Sequence, residues 1–75
     1  MLDPIDTFVI EKVRERRLKK KVSQSELAFE LGVSNGFIGM VESRKYTQKY
    51  SVSQLNKIAK LFGCSPRDFL PKEPI

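Results

Sequence analysis

The stretch from Val22 to Ser43 reads V-S-Q-S-E-L-A-F-E-L-G-V-S-N-G-F-I-G-M-V-E-S, with one helix start on each side of Gly32. Ser23 and Glu26 have the spacing of a capping box, in which each side chain satisfies a backbone donor that the first helical turn leaves unpaired. Leu27, Ala28 and Leu31 follow at helical spacing and form one apolar face. Gly32 is suited to the left-handed backbone conformation that ends a helix. Ser34 then stands where a second helix needs its N-cap, and Val33, Phe37, Ile38 and Val41 supply the apolar side. Two short helices joined by a tight turn at Gly32 are therefore expected, spanning about residues 23–43.

Around this pair the sequence predicts three further helices and no strands. Asp3 caps the first, Pro4 fits its first turn and Asp6 offers a second acceptor there. That helix runs to about Lys20 with Val9, Ile10 and Val13 as its buried stripe, and its acidic start and basic end both complement the macrodipole. Ser51 or Ser53 caps a fourth helix that turns Leu55, Ile58, Ala59 and Phe62 inward and stops at Gly63. Ser65-Pro66 opens a short fifth helix that inserts Phe69 and Leu70, and Pro71 prevents its continuation. Residues 71–75, with Pro74 among them, are expected to fray. The whole is read as one all-α domain over residues 1–75.

Seventy-five residues allow a single modest core, and 40% hydrophobic residues are enough to fill one. No apolar run approaches membrane-spanning length and no signal stretch is evident, so no membrane association and a cytoplasmic location are expected. The net charge is +5. Lys12, Arg14, Arg16, Arg17, Lys19, Lys20 and Lys21 crowd the first helix and the turn after it; Arg44, Lys45 and Lys49 follow the third. Such a surface suits a polyanion, and beside a capped helix–turn–helix the polyanion is nucleic acid. The loop from Arg44 to Tyr50 also holds Tyr46 and Tyr50. One of them is expected to pin the loop to the core, while the other hydroxyl reaches a phosphate.

Catalysis is not expected. The chain has no histidine, which removes histidine triads and histidine metal sites. Cys64 lies at an inward-facing position with no second cysteine to pair with, and reads as core. No GxxxxGK phosphate loop occurs, and Glu26 and Glu30 are carboxylates at ordinary helical spacing. No metal or cofactor is expected.

The segment S-Q-S-E-L-A-F-E-L-G-V-S, followed by Ile38 and Glu42, resembles the lambda-repressor and Cro-like helix-turn-helix family, the xenobiotic-response-element type. A-K-L-F-G-C-S-P-R-D-F-L, residues 59–70, is similar to that family's last two helices. The resemblance covers about Ile10 to Leu70 and implies a compact five-helix, lambda-repressor-like domain. It departs from the family where Ser43-Arg44 follows Glu42, a place where the family usually has glycine. The implied function is a sequence-specific DNA-binding transcriptional regulator, a bacterial or phage repressor whose third helix enters the major groove of double-stranded DNA. It also implies a homodimer on DNA. A protein-interaction module on the same fold, antitoxin-like and with a protein partner, is the alternative.

By the same resemblance Gln24 meets a phosphate and braces the third helix, and Arg17 and Glu42 form a buried ion pair. The pairing agrees with the chemistry, since Glu42 adjoins Val41 close to the core, where an unpaired carboxylate is costly. Base contacts are assigned to Asn35, Gly36, Phe37, Gly39, Met40 and Arg44. Of these only Asn35 and Arg44 offer standard pairings with base edges. Asn35 could instead cap the helix, and Phe37 could belong to the core. Phosphate contacts are assigned to Gln24, Ser34, Ser43, Lys45, Tyr46 and Lys49, and also to Arg44 beside its base-reading assignment, with a contribution from the basic residues of the first helix.

Overall fold

The computed structural model describes residues 2–75. Four α-helices form: α1 (Pro4–Lys19), α2 (Gln24–Leu31), α3 (Asn35–Ser43) and α4 (Val52–Phe62), followed by one 3-10 turn, Pro66–Phe69. Among the described residues there is no strand, and no helix is long and apolar enough to cross a membrane. The expected fifth helix is thus a single turn. Pro66 sets its start, and Leu70 is already extended, with its amide bonded to the Arg67 carbonyl. Leu70 is also not inserted as expected: it is 47% exposed, while Phe69 alone fills the core.

The helix ends are written in local chemistry. The Ser23 hydroxyl accepts from the Glu26 amide at 3.0 Å, while Glu26 accepts from the Ser23 amide at 3.2 Å. Ser51 and Gln54 repeat the arrangement at 3.1 and 2.8 Å. This identifies Ser51 as the α4 cap, with Ser53 only hydrogen-bonded to its hydroxyl at 3.2 Å. Asp6 accepts from the Asp3 amide at 3.2 Å. Gly32 takes φ 68°, letting the Val33 amide bond back to the Ala28 carbonyl at 3.0 Å and turn the chain sharply into α3.

α2 packs against α3 and α4, and α1 lies across α3, α4 and the 3-10 turn. Their shared core contains Ile10, Val13, Leu27, Ile38, Val41, Ile58 and Phe69, all essentially without solvent contact. Each such side chain contributes about 1.5–3 kcal/mol by leaving water. Ile38 and Val41 are one turn apart on α3, so their burial fixes which side of that helix faces outward.

One ionic contact is built into this core. The Arg17 guanidinium grips the Glu42 carboxylate with two parallel bonds, Nε to Oε2 at 2.8 Å and Nη2 to Oε1 at 2.9 Å. Its Nη1 donates to the Val22 carbonyl at 2.8 Å. Both side chains are more than nine-tenths buried. Removing either partner strands a charge away from water, so Arg17→Ala is expected to lower unfolding stability by about 3–5 kcal/mol. Chemical denaturation measures this directly, and an unchanged midpoint would show the pair to be dispensable.

Candidate nucleic-acid interface

With Ile38 and Val41 turned inward, α3 presents Ser34, Asn35 and Gly36 to solvent, with Gly39 and Met40 half-exposed beside them. Ser34 is the cap: its hydroxyl accepts from the Phe37 amide at 3.2 Å. Asn35 is therefore the first helical residue rather than the cap, and among the described residues its side chain makes no hydrogen bond. Its amide is available for an external partner. Phe37 is turned the other way. It packs on the core, its ring edge-on to Tyr50 at 6.4 Å between centroids. Phe37 is nevertheless only partly buried, and its packing favours the core role that the sequence left open beside a base contact.

Gln24, at the first position of α2, donates from Nε2 to Glu42 Oε1 at 3.1 Å. The Glu42 carboxylate thereby receives Arg17 from α1 and Gln24 from α2, and Arg14 Nε stands 3.8 Å away. This cluster joins the two helices before α3 to the end of α3 itself. Tyr50 closes it from the following loop. Burial, with a further contribution from nearby Glu42 and against the opposing pull of Arg17, pushes its phenol well above the ordinary value. Tyr50 is thus a neutral core residue, and it is the tyrosine that pins the loop. Tyr46 remains 52% exposed, and among the described residues its hydroxyl makes no hydrogen bond.

The loop after α3 differs most from expectation. Arg44 adopts φ 59°, the left-handed conformation that glycine takes without strain. This is the place where Ser43-Arg44 departs from the resembling family. Arg44 Nη2 lies 3.3 Å from Glu11 Oε1 of α1, and Lys49 Nζ lies 3.2 Å from Asp6 Oδ2 of the same helix. Ser43 spends its hydroxyl on the Met40 carbonyl at 3.0 Å and receives the Lys45 amide at 3.4 Å, which makes it a helix-end residue first. Lys45 is exposed and, among the described residues, forms no ion pair. Sequence reasoning missed Asp6 and Glu11 as partners of these cations, because each pair closes across more than thirty residues with no local signal.

Neither helical glycine is demanded from inside. A Cβ on Gly36 would come no nearer than 3.9 Å to Ser34 Oγ, and one on Gly39 no nearer than 3.8 Å to Gln24 Oε1. Both distances are ordinary van der Waals contacts.

Comparison with known proteins places these features in context. Residues 13–69 match the family described as helix-turn-helix. The control protein C.BamHI of Bacillus amyloliquefaciens is 38% identical over 61 residues, covering 80% of this chain and 73% of that protein. The crystal structure of a hypothetical transcription factor, NHTF, from Neisseria superposes with a TM-score of 0.72 at 24% identity, over 89% of this chain and 75% of that one. At that identity the superposition speaks for the fold.

Because alanine fits at both glycines, Gly39→Ala in the helix interior is expected to raise unfolding stability by about 0.8–1 kcal/mol. Gly36→Ala, in the first turn, raises it by less. Thermal melts of the two variants measure this, and a lower melting temperature for either would mean the helix cannot admit the methyl group.

Proposed function

The chain belongs to the helix-turn-helix family of lambda-repressor and Cro-like type, whose pattern spans most of it; it is a DNA-binding transcriptional regulator, and we propose that it acts by laying α3 in the major groove of an operator. The observation that carries this reading is the outward face of α3. Asn35 is exposed and unbonded at the helix start, where base contacts concentrate in this motif. A bidentate contact from Asn35 to adenine gives about 1–3 kcal/mol of discrimination. Gly36, Gly39 and Met40 line the same face and allow the backbone to approach base edges or thymine methyls closely. A Cβ at either glycine would meet only ordinary contacts inside the protein, and without one this face is open to close approach. Gln24, Ser34, Ser43, Arg44, Lys45, Tyr46 and Lys49 are the residues proposed to contact phosphates. A net charge of +5 supports the same partner.

Binding is proposed to occur as a two-fold dimer, in the cytoplasm, and to repress by occupancy without catalysis. Equivalent helices in such a dimer lie one DNA turn apart, about 34 Å. C.BamHI is named as a control protein, which fits regulation of transcription by occupancy. The alternative, a protein-interaction module presenting Phe37, Met40 and the two glycines of α3, is less favoured because Phe37 packs against Tyr50 and the core.

Selection from a random duplex pool at two salt concentrations tests the proposal. The expected outcome is an enriched motif with two related half-sites, bound more weakly at high salt as counterion release requires. Lys45→Ala should weaken binding to all sequences alike and reduce the salt slope by about 1. Asn35→Ala should flatten the preference at a single base pair. No enrichment at either salt concentration would favour the interaction module instead.

A further inference from the structure

The cations expected to meet phosphates are not equivalent, and the difference lies in α1. Lys45 is free of carboxylates among the described residues, whereas Arg44 is held by Glu11 at 3.3 Å and Lys49 by Asp6 at 3.2 Å. The loop carrying them lies over the start of α1, where Thr7 and Leu2 share a shallow cleft with Arg44, Lys45 and Tyr46. The left-handed turn at Arg44 starts this loop as α3 ends. Asp6 is the more fixed of the two anions, since it also accepts from the Asp3 amide and is only 18% exposed. Glu11 and Arg44 are both about half exposed, so their attraction is weak and open to competition.

From this arrangement we infer that Glu11 and Asp6 set the DNA affinity of the α3–α4 loop, by occupying Arg44 and Lys49 in the free protein as anions that a phosphate must displace. The inference rests on the proposed phosphate contacts. A phosphate approaching Arg44 meets a guanidinium already neutralised by Glu11 and then faces the repulsion of the released carboxylate. Lys45 imposes no such exchange. Affinity is thereby held below what the count of basic residues suggests. The paired cations also contribute less to indiscriminate binding than free ones do, which leaves proportionally more of the binding to the α3 face.

The test uses the full chain and a fluorescein-labelled mixed-sequence duplex, because phosphate contacts are read without regard to sequence. Fluorescence anisotropy at low salt compares wild type with Glu11→Gln, Arg44→Ala and the double variant. Glu73→Gln, in the exposed tail, controls for the loss of one negative charge, and Lys45→Ala controls for loss of an unpaired cation. Glu11→Gln is expected to bind about two- to fivefold more tightly than wild type, the range set by an exposed ion pair. The gain should exceed that of Glu73→Gln, shrink as salt screens it, persist in a Lys45→Ala background and vanish in an Arg44→Ala background. A Glu11→Gln variant that binds no better than wild type, or one whose gain survives Arg44→Ala, overturns the inference while leaving the DNA-contact reading intact. Absence of any salt-dependent binding by wild type overturns both.

Discussion

The Glu42 carboxylate sits in the last turn of α3, where the helix dipole is negative and an anion is disfavoured. It is also almost fully removed from water. The dipole disfavours it mildly, and burial without a partner would be costly. It stays because three helices converge on it: Arg17 from α1 supplies two charge-assisted bonds and Gln24 from α2 supplies a third. Such a site tolerates little displacement, since a slipped α3 would leave a buried charge without its donors. Apolar burial of Ile38 and Val41 gives α3 its facing, but apolar contacts are non-directional. The carboxylate adds direction, fixing where α3 sits along α1 and α2. The outward position of Asn35 is a consequence of both.

How far the sequence shows this depends on how far apart the interacting residues lie. The caps at Ser23, Ser34 and Ser51 and the stops at Gly32 and Gly63 are local, each decided within a few residues, and they were readable directly. The apolar stripes of α1, α2 and α4 were readable for the same reason. Arg17 and Glu42 are separated by twenty-five residues. Chemistry says only that a carboxylate near a core needs a partner, and the choice among so many basic residues came from resemblance. Arg44 with Glu11 and Lys49 with Asp6 had neither a local signal nor a resemblance to identify them. The left-handed turn at Arg44 has no local signal in Ser43-Arg44-Lys45, and only the glycine usual at that place in the resembling family points to it. Leu70 misled for a different reason: its apolar side chain follows Phe69 directly, and a single 3-10 turn has room to bury only one of them.

The two faces of α3 follow different chemical logics. Its inner face is crowded with apolar residues and ends in the carboxylate cluster. Its outer face carries little beyond Asn35, two glycines and a half-exposed Met40. On the proposed reading, a helix built this way has few direct base contacts to offer, and a large share of the affinity comes from the cations and hydroxyls around it. Affinity of that kind is indiscriminate, and a regulator with too much of it is held at random sites across the genome.

α1 bears on both sides of this problem. Its C-terminal half gives Arg17, with Arg14 nearby, to the carboxylate of α3, which ties the two helices together. Its N-terminal half gives Asp6 and Glu11 to the cations of the following loop, which holds back their attraction for phosphate. Asp6 suits its place, because an acid in the first turn is favoured by the α1 dipole. The helix farthest in sequence from the reading face thus carries the charges that orient it and those that temper its surroundings. Counting lysines and arginines alone therefore overstates the pull of such a domain on nucleic acid; which of them are already answered by a carboxylate matters as much as how many there are.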